Sequence, residues 1–266
     1  MPNEITIGAD IEFIARANTS HIPHTIEGMI RGSKHDPRPV LYGNVQEDNV
    51  LPEMAIDYVT TKEDFVRNIL TVTDELQKIL DEYNVTLFND SFANFPANQL
   101  KSEQATTFGC DPDMNCWSGE INPPPKTTRR NRHLRTAGGH VHVGFDGGDD
   151  MSNAFKMAQW LEVFLGIPSV IKDVDGITRR QLYGKAGACR TKPYGVEYRV
   201  MSNWWANKDD AAWVFDQVHK AYESYKVGTV EQVYGNGVGD SIQKIINTGS
   251  KEEAEKACKS FGVAYA

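Results

Sequence analysis

The chain lacks any apolar run that approaches the length of a membrane span, about 20 residues. It lacks internal repeats and low-complexity linkers, so its 266 residues read as one domain, with a sheet region over 1–205 and a helical portion over 206–266. Cysteine is scarce: four residues without a disulfide-like pattern fit a reducing cytoplasm. Positive charge is short as well, with 28 Lys and Arg against 36 Asp and Glu for a net charge of −8. That balance argues against broad electrostatic binding to nucleic acid, although a local arginine cluster could still serve a nucleotide. Residues 1–4 lead directly into a strand pattern and leave no room for a signal peptide, so a cytoplasmic location is expected. Hydrophobic content of 40% and charged content of 24% are ordinary for a globular chain.

What is present is a set of strands that carry charge on one side. Gly138-Gly139-His140-Val141-His142-Val143-Gly144-Phe145 alternates, so both His point one way and the Val and Phe residues the other. Near the start, Ile5, Ile7, Ala9, Ile11 and Phe13 alternate with Thr6, Gly8, Asp10 and Glu12. Further on, Val196, Tyr198 and Val200 alternate with Glu197 and Arg199. Either pair alone reads equally well as a solvated strand face. If the strands share a sheet, Asp10, Glu12, His140 and Glu197 line one surface. Clustering those carboxylates out of water without cations would cost several kcal/mol per ion. Divalent metals are the natural compensation, and oxygen-rich ligation favours Mg²⁺ or Mn²⁺ over zinc.

A fourth segment, Glu47-Asp48-Asn49-Val50-Leu51-Pro52-Glu53, adds more acid. A continuous strand would place Glu47 and Glu53 on one face, with Pro52 marking an edge or a bend. Glu47 and Asp48 compete for the same role.

The order acid-x-acid, paired-acid segment, Gly-x-His-x-His, Glu-x-Arg resembles the glutamine-synthetase-like carboxylate–amine ligases. Within them the chain is most similar to a phage-type COOH.NH2 ligase (type 2) family. The segments that carry this resemblance are Phe108-Gly109-Cys110-Asp111-Pro112-Asp113, Ala137 to Gly144, Tyr183-Gly184-Lys185-Ala186-Gly187-Ala188-Cys189-Arg190, and Tyr194-Gly195-Val196-Glu197-Tyr198-Arg199. It implies a curved, mainly antiparallel sheet that binds ATP and Mg²⁺ or Mn²⁺. By resemblance, Glu12, Glu47 and Glu53 hold one metal, and Asp10, His140 and Glu197 hold another nearer the nucleotide phosphates. His142, Lys185, Arg190 and Arg199 fall to the nucleotide, with Arg190 and Arg199 in catalytic roles. Asp10 stands where many relatives have Glu, one methylene shorter in reach. The resemblance also implies small-molecule or peptide carboxylate and amine substrates and action in a bacterial host cytoplasm, and it leaves open whether the protein is an oligomer.

Such a site answers a chemical need. A carboxylate is a poor electrophile until a phosphoryl group converts its oxygen into a leaving group, and that transfer relies on positioning and on cations. The His pair with one carboxylate would equally suit a metal-dependent hydrolase or an Fe(II) oxygenase. A relative that binds nucleotide without turnover is a third reading.

Residues 103–135, rich in Pro and carrying Lys126, Arg129, Arg130, Arg132 and Arg135, are the candidate covering loop. Cys110 and Cys116 near His133 match no common structural zinc spacing. The rest reads as scaffold. A helix capped by Thr61 carries Phe65, Ile69, Val72 and Leu76 along one stripe, and another starts at Asp150 and ends at Pro168. A third spans about 208–225, and Ser250 with Glu253 resembles a capping box. Trp204 and Trp205 read as packing residues. The element order predicts an α+β fold.

Overall fold

Apolar–polar alternation at a period of two builds the strands that position the charged residues. The structure, a computed structural model, describes residues 5–106, 112–125, 128–173 and 175–265. Its strands are β1 (Thr6–Glu12), β2 (Ile14–Ala17), β3 (Arg38–Val40), β4 (Gly43–Asp48), β5 (Leu51–Ile56), β6 (Val85–Phe88), β7 (Phe92–Asn94), β8 (Met114–Asn115), β9 (Leu134–Thr136), β10 (Gly139–Gly144), β11 (Ala188–Lys192) and β12 (Gly195–Tyr198). Eight of them form one sheet in the order β3-β4-β5-β1-β10-β12-β11-β8, and every neighbouring pair is antiparallel. Two small ribbons, β2 with β6 and β7 with β9, lie beside it.

The helices are α1 (Lys62–Asp81), α2 (Glu103–Thr106), α3 (Met151–Leu161), α4 (Ile167–Lys172), α5 (Gly176–Arg179), α6 (Lys208–Val227), α7 (Val230–Tyr234), α8 (Val238–Thr248) and α9 (Lys251–Phe261). Thr61 caps α1 by accepting from the Asp64 amide, and its buried stripe is Phe65, Ile69, Val72 and Leu76. Helices α1, α3 and α6 pack together and on one side of the sheet. There they meet Ile7, Ile11, Val141, Val143 and Val196, all fully buried. Trp205 belongs to this layer, its ring stacked 6.1 Å from that of Phe65. The mixed helix-and-sheet class and the antiparallel sheet match the expectation from sequence. Among the described residues no helix is long and apolar enough to cross a membrane.

The second helix differs from expectation. It begins at Asp150, which caps it, but it does not stop at Pro168. The chain passes through a π turn at Glu162–Gly166 directly into α4, whose first turn contains Pro168. Proline is tolerated there because the π turn before it has already shifted the hydrogen-bond ladder. Ser250 accepts from the Glu253 amide at the start of α9. A full reciprocal capping box stands instead at Thr229 and Gln232.

Candidate functional site

Register decides which side chains meet. Across β1 and β10, Asp10 lies opposite His140 and Gly8 opposite His142, while Glu12 lies opposite Glu53 on β5. His142 faces Glu197 on β12, and Glu197 faces Arg190 on β11. Directly opposed residues in an antiparallel pair share a face. Asp10, Glu12, Glu53, His140, His142, Arg190 and Glu197 therefore occupy the face turned away from the helices. Gly138 lets the chain enter this strand, since a Cβ there would sit 2.5 Å from His140 Nε2 and 3.0 Å from Arg179 Nη2.

One half of the cluster is well compensated. His140 Nδ1 lies 2.6 Å from Asp10 Oδ1, and His142 Nε2 lies 3.1 Å from Asp10 Oδ2. Burial pushes the Asp10 carboxyl up, but the two imidazoles outweigh it and hold the group well below the usual carboxylate range. Glu197, 1% exposed, takes Lys192 Nζ at 2.7 Å, Arg190 Nη1 at 3.3 Å and Arg199 Nη1. Burial opposes its ionisation, yet Arg199 above all brings it to about 2. His140 is pushed below its ordinary value by burial and by Arg199. His142 is raised: burial lowers it, and Asp10 outweighs burial. The Tyr194 hydroxyl lies 2.6 Å from His142 Nδ1.

The other half is compensated only in part, by Arg179 and Arg199 acting on Glu12. Glu53 has Gln46 Nε2 at 2.5 Å, and its carboxyl is pushed well above the usual range by burial and by Asp10, Asp48 and Glu12. Glu12 accepts from the Gly138 amide at 2.5 Å, and burial followed by Asp48 raises it to about 7. Buried like charges of this kind call for a cation. Among the described residues, Asp10, His142 and Glu197 bring one ligand atom each within 4.8 Å of one another. Donors about 2.1 Å from one ion stand roughly 3.0–4.2 Å apart, so a slight inward shift of these side chains would seat it. Asp10 Oδ1, although near His140, is buried without a hydrogen bond. The donor set therefore fits a divalent cation, and its oxygen-rich composition fits Mg²⁺ or Mn²⁺.

Two expected residues are not brought here. Glu47 was expected beside Glu53 on a continuous strand, but Asn49, in the left-handed region at φ 55°, reverses the chain between β4 and β5. The hairpin opposes Glu53 to Gln46 and Leu51 to Asp48, so Asp48 shares the site face and Glu47 points away. The Glu47 carboxylate instead accepts from the Gly28, Ile30 and Arg31 amides. Lys185 is exposed, on a turn whose carbonyl accepts from the Ala188 amide, and is not among the residues gathered at the acids. Of the covering segment, Phe108, Gly109, Cys110, Asp111 and Lys126 lie outside the described residues. Cys116 is buried next to Cys189 on the core side, and His133 Nδ1 lies 3.1 Å from the Phe95 carbonyl.

Sequence reasoning missed Arg179, Lys192, Tyr194 and Tyr58. Lys192 follows Arg190 at the strand period, which was a usable signal. Arg179, 3% exposed, comes from the one-turn helix α5, donates to the Val200 carbonyl and projects beside Glu12. No periodicity marks such a residue.

Cavities open at the two ends of the acid row along the strand direction. At the Thr6 end of β1, one of about 570 Å³ has a floor of Gly8, Ala55 and Gly144, is flanked by Tyr58 and Tyr194, and reaches Asp10 and His142. At the Glu12 end, one of about 50 Å³ is bounded by Glu12, Asp48, Arg135, Arg179 and Arg199.

These shifts carry a pH prediction. Glu12 is raised from the ordinary 4.5 to about 7, so the folded protein without metal holds a proton that the unfolded chain gives up earlier. The stability contributed by that proton is complete below pH 4.5 and is lost as pH rises through about 7, to the extent of roughly 3 kcal/mol. Glu162, buried in the core, also stands at about 7 and acts with the same sign. The wild-type protein should therefore be compared with Glu12→Gln. In EDTA the stability gained by the substitution should grow between pH 5 and pH 8 in thermal melts. A difference independent of pH would show that Glu12 titrates normally.

Residues 133–237 match the family model described as Phage phiEco32-like COOH.NH2 ligase-type 2. The matched span contains His140, His142, Arg190, Glu197 and Arg199, so the resemblance read from motif order is borne out there. No curated protein matches the chain. Among solved structures it is similar to a bifunctional glutathione synthetase from Pasteurella multocida, at 11% identity over 97% of this chain and 49% of that one, with a TM-score of 0.44. It is also similar to GmaS without ligand, at 12% identity over 98% of this chain and 70% of that one, TM-score 0.41. A GmaS complex with ADP gives 13% identity over 97% and 68%, TM-score 0.44. The chain spans about half the length of the glutathione synthetase.

Proposed function

We propose that this protein is an ATP- and Mg²⁺-dependent carboxylate–amine ligase. The reading rests on one observation above all. Acids distant in sequence, Asp10, Glu12, Glu53 and Glu197, meet two imidazoles and Arg199 on a single sheet face. The family match over residues 133–237 supports it.

In this reaction a carboxylate oxygen attacks the γ-phosphorus of ATP, forming an acyl phosphate and releasing ADP. An amine then attacks the acyl carbon, the C–N bond forms, the C–O bond to phosphate breaks, and the amine gives up a proton. A divalent cation held here would supply positive charge against the negative charge that builds on the phosphate oxygens. Asp10, His142 and Glu197, with His140 beside them, would hold it near the phosphates, and Glu12, Glu53 and Asp48 would hold a second. Arg190, Lys192 and Arg199 place fixed positive charge beside Glu197, where a transferring phosphoryl group needs it. The larger cavity has the volume of a nucleotide site, and its tyrosines suit the faces of a planar base. The smaller one, lined by guanidinium groups, suits the reacting carboxylate.

The test is calorimetry and thermal shift. ATP should bind in the presence of Mg²⁺ and raise the melting temperature, and excess EDTA should abolish the shift. Mass spectrometry of cell extract incubated with protein and ATP should reveal a condensation product lighter by one water than its components. If ATP with Mg²⁺ gives no shift while Fe²⁺ or Zn²⁺ binds tightly through both His, a hydrolase or oxygenase replaces the ligase.

A further inference from the structure

The cavity at the Glu12 end is small and has Arg135, Arg179 and Arg199 on its wall. About 50 Å³ accommodates a carboxylate and little more, since one water needs roughly 10–15 Å³ of such volume. The remainder of a larger acid seated there lies outside, along the rim. The rim strand, β9, lines the cavity through Leu134, Arg135 and Thr136. The chain leading into it carries Arg129, Arg130 and Arg132, all exposed.

This segment is held in place. Asn131 Oδ1 accepts from the Thr128 amide at 2.6 Å, and the Arg132 amide donates to the Thr128 carbonyl at 3.1 Å. Arg132 is coupled to the cavity wall, because its carbonyl accepts from Arg135 Nη1 at 3.0 Å. A fixed basic rim stands out on a chain whose net charge is −8. The molecule as a whole repels anions, so these three arginines are a local exception on the segment leading into the cavity wall.

We propose that the carboxylate substrate is the end of an acidic peptide. Its reacting carboxylate enters the cavity towards Arg179 and Arg199, and further carboxylates along the same peptide lie against Arg129, Arg130 and Arg132. An extended peptide advances about 3.3 Å per residue, so a few residues span such a rim. The inference rests on the ligase reading in one respect, that this cavity receives the reacting acid. A nucleic acid would also find arginine attractive, but the negative charge of the remaining surface opposes a long polyanion.

The test is equilibrium binding without turnover, with the full chain, Mg²⁺ and a non-hydrolysable ATP analogue. The probes are a tetraglutamate peptide, a tetraalanine peptide, free glutamate and a short oligothymidylate. Tetraglutamate should bind on the order of tenfold tighter than tetraalanine or glutamate, and its affinity should fall with salt. The variant R129E/R130E/R132E should lose most of that advantage while its affinity for the ATP analogue is unchanged. Equal binding of the two peptides, an unaffected triple variant, or a preference for the oligonucleotide would each overturn the proposal. If the ATP analogue fails to bind while selectivity for tetraglutamate persists, the ligase reading fails and the acidic-peptide rim stands.

Discussion

Glu197→Ala should abolish ATP-dependent release of ADP. The carboxylate stands at the centre of the compensated half of the site, with Lys192, Arg190 and Arg199 upon it and His142 directly opposite. At about 2, it is ionised throughout the physiological range, so the full anion would be present for a cation at the phosphates. Its removal takes away a ligand and also leaves cationic side chains facing one another with no anion between them. Breaking a buried ion pair from one side costs about 3–5 kcal/mol, so the alanine variant should melt earlier as well. Glu197→Gln separates the two effects because it keeps the volume and an acceptor oxygen while removing the charge. Both variants should lose at least about two orders of magnitude in ADP release, followed with a coupled assay, with circular dichroism as the check on folding. Wild-type turnover in a folded Glu197→Gln protein would remove this face from the chemistry.

The legible part of the site was the part governed by strand period. Asp10 with Glu12, His140 with His142, and Glu197 with Arg199 each sit two residues apart on segments whose other residues are apolar, and the structure turns all of them to one face. Partner choice was less accessible, because register is set by tertiary packing. The structure brings His142 to Asp10 and Glu197 in addition to the expected His140. Glu47 illustrates the sensitivity to a single turn. Asn49 tolerates the left-handed conformation, the chain folds back in two residues, and facing parity passes to Asp48. Arg179 was invisible because a one-turn helix offers no repeat to read. Its seat depends on Gly184 at φ 73°, where a Cβ would also approach the Val200 carbonyl to 2.7 Å. The π turn at Glu162–Gly166 was equally hidden, since Pro168 reads as a helix stop unless the irregular turn before it is known.

Glu53→Gln should have the opposite signature to Glu197→Ala: a more stable protein without metal, and a less responsive one with it. Glu53 is buried, pushed upward by burial and by Asp10, Asp48 and Glu12, and relieved among its neighbours by the Gln46 amide. Neutralising it removes a like-charge conflict and preserves the shape and the acceptor oxygen. A gain of about 1–2 kcal/mol at pH 8 in EDTA is expected, which for a chain of this size raises the melting temperature by several degrees. Mg²⁺ stabilises in proportion to the logarithm of its concentration over its dissociation constant, so loss of a ligand should shrink the Mg²⁺-induced shift and move it to higher concentration. Activity should fall while stability rises, the trade expected where charge is held for function at the expense of the fold. A structural carboxylate would behave in reverse. If Glu53→Gln lowers the melting temperature in EDTA and leaves the Mg²⁺ response intact, the acids of β1 and β5 hold the sheet together and bind no cation.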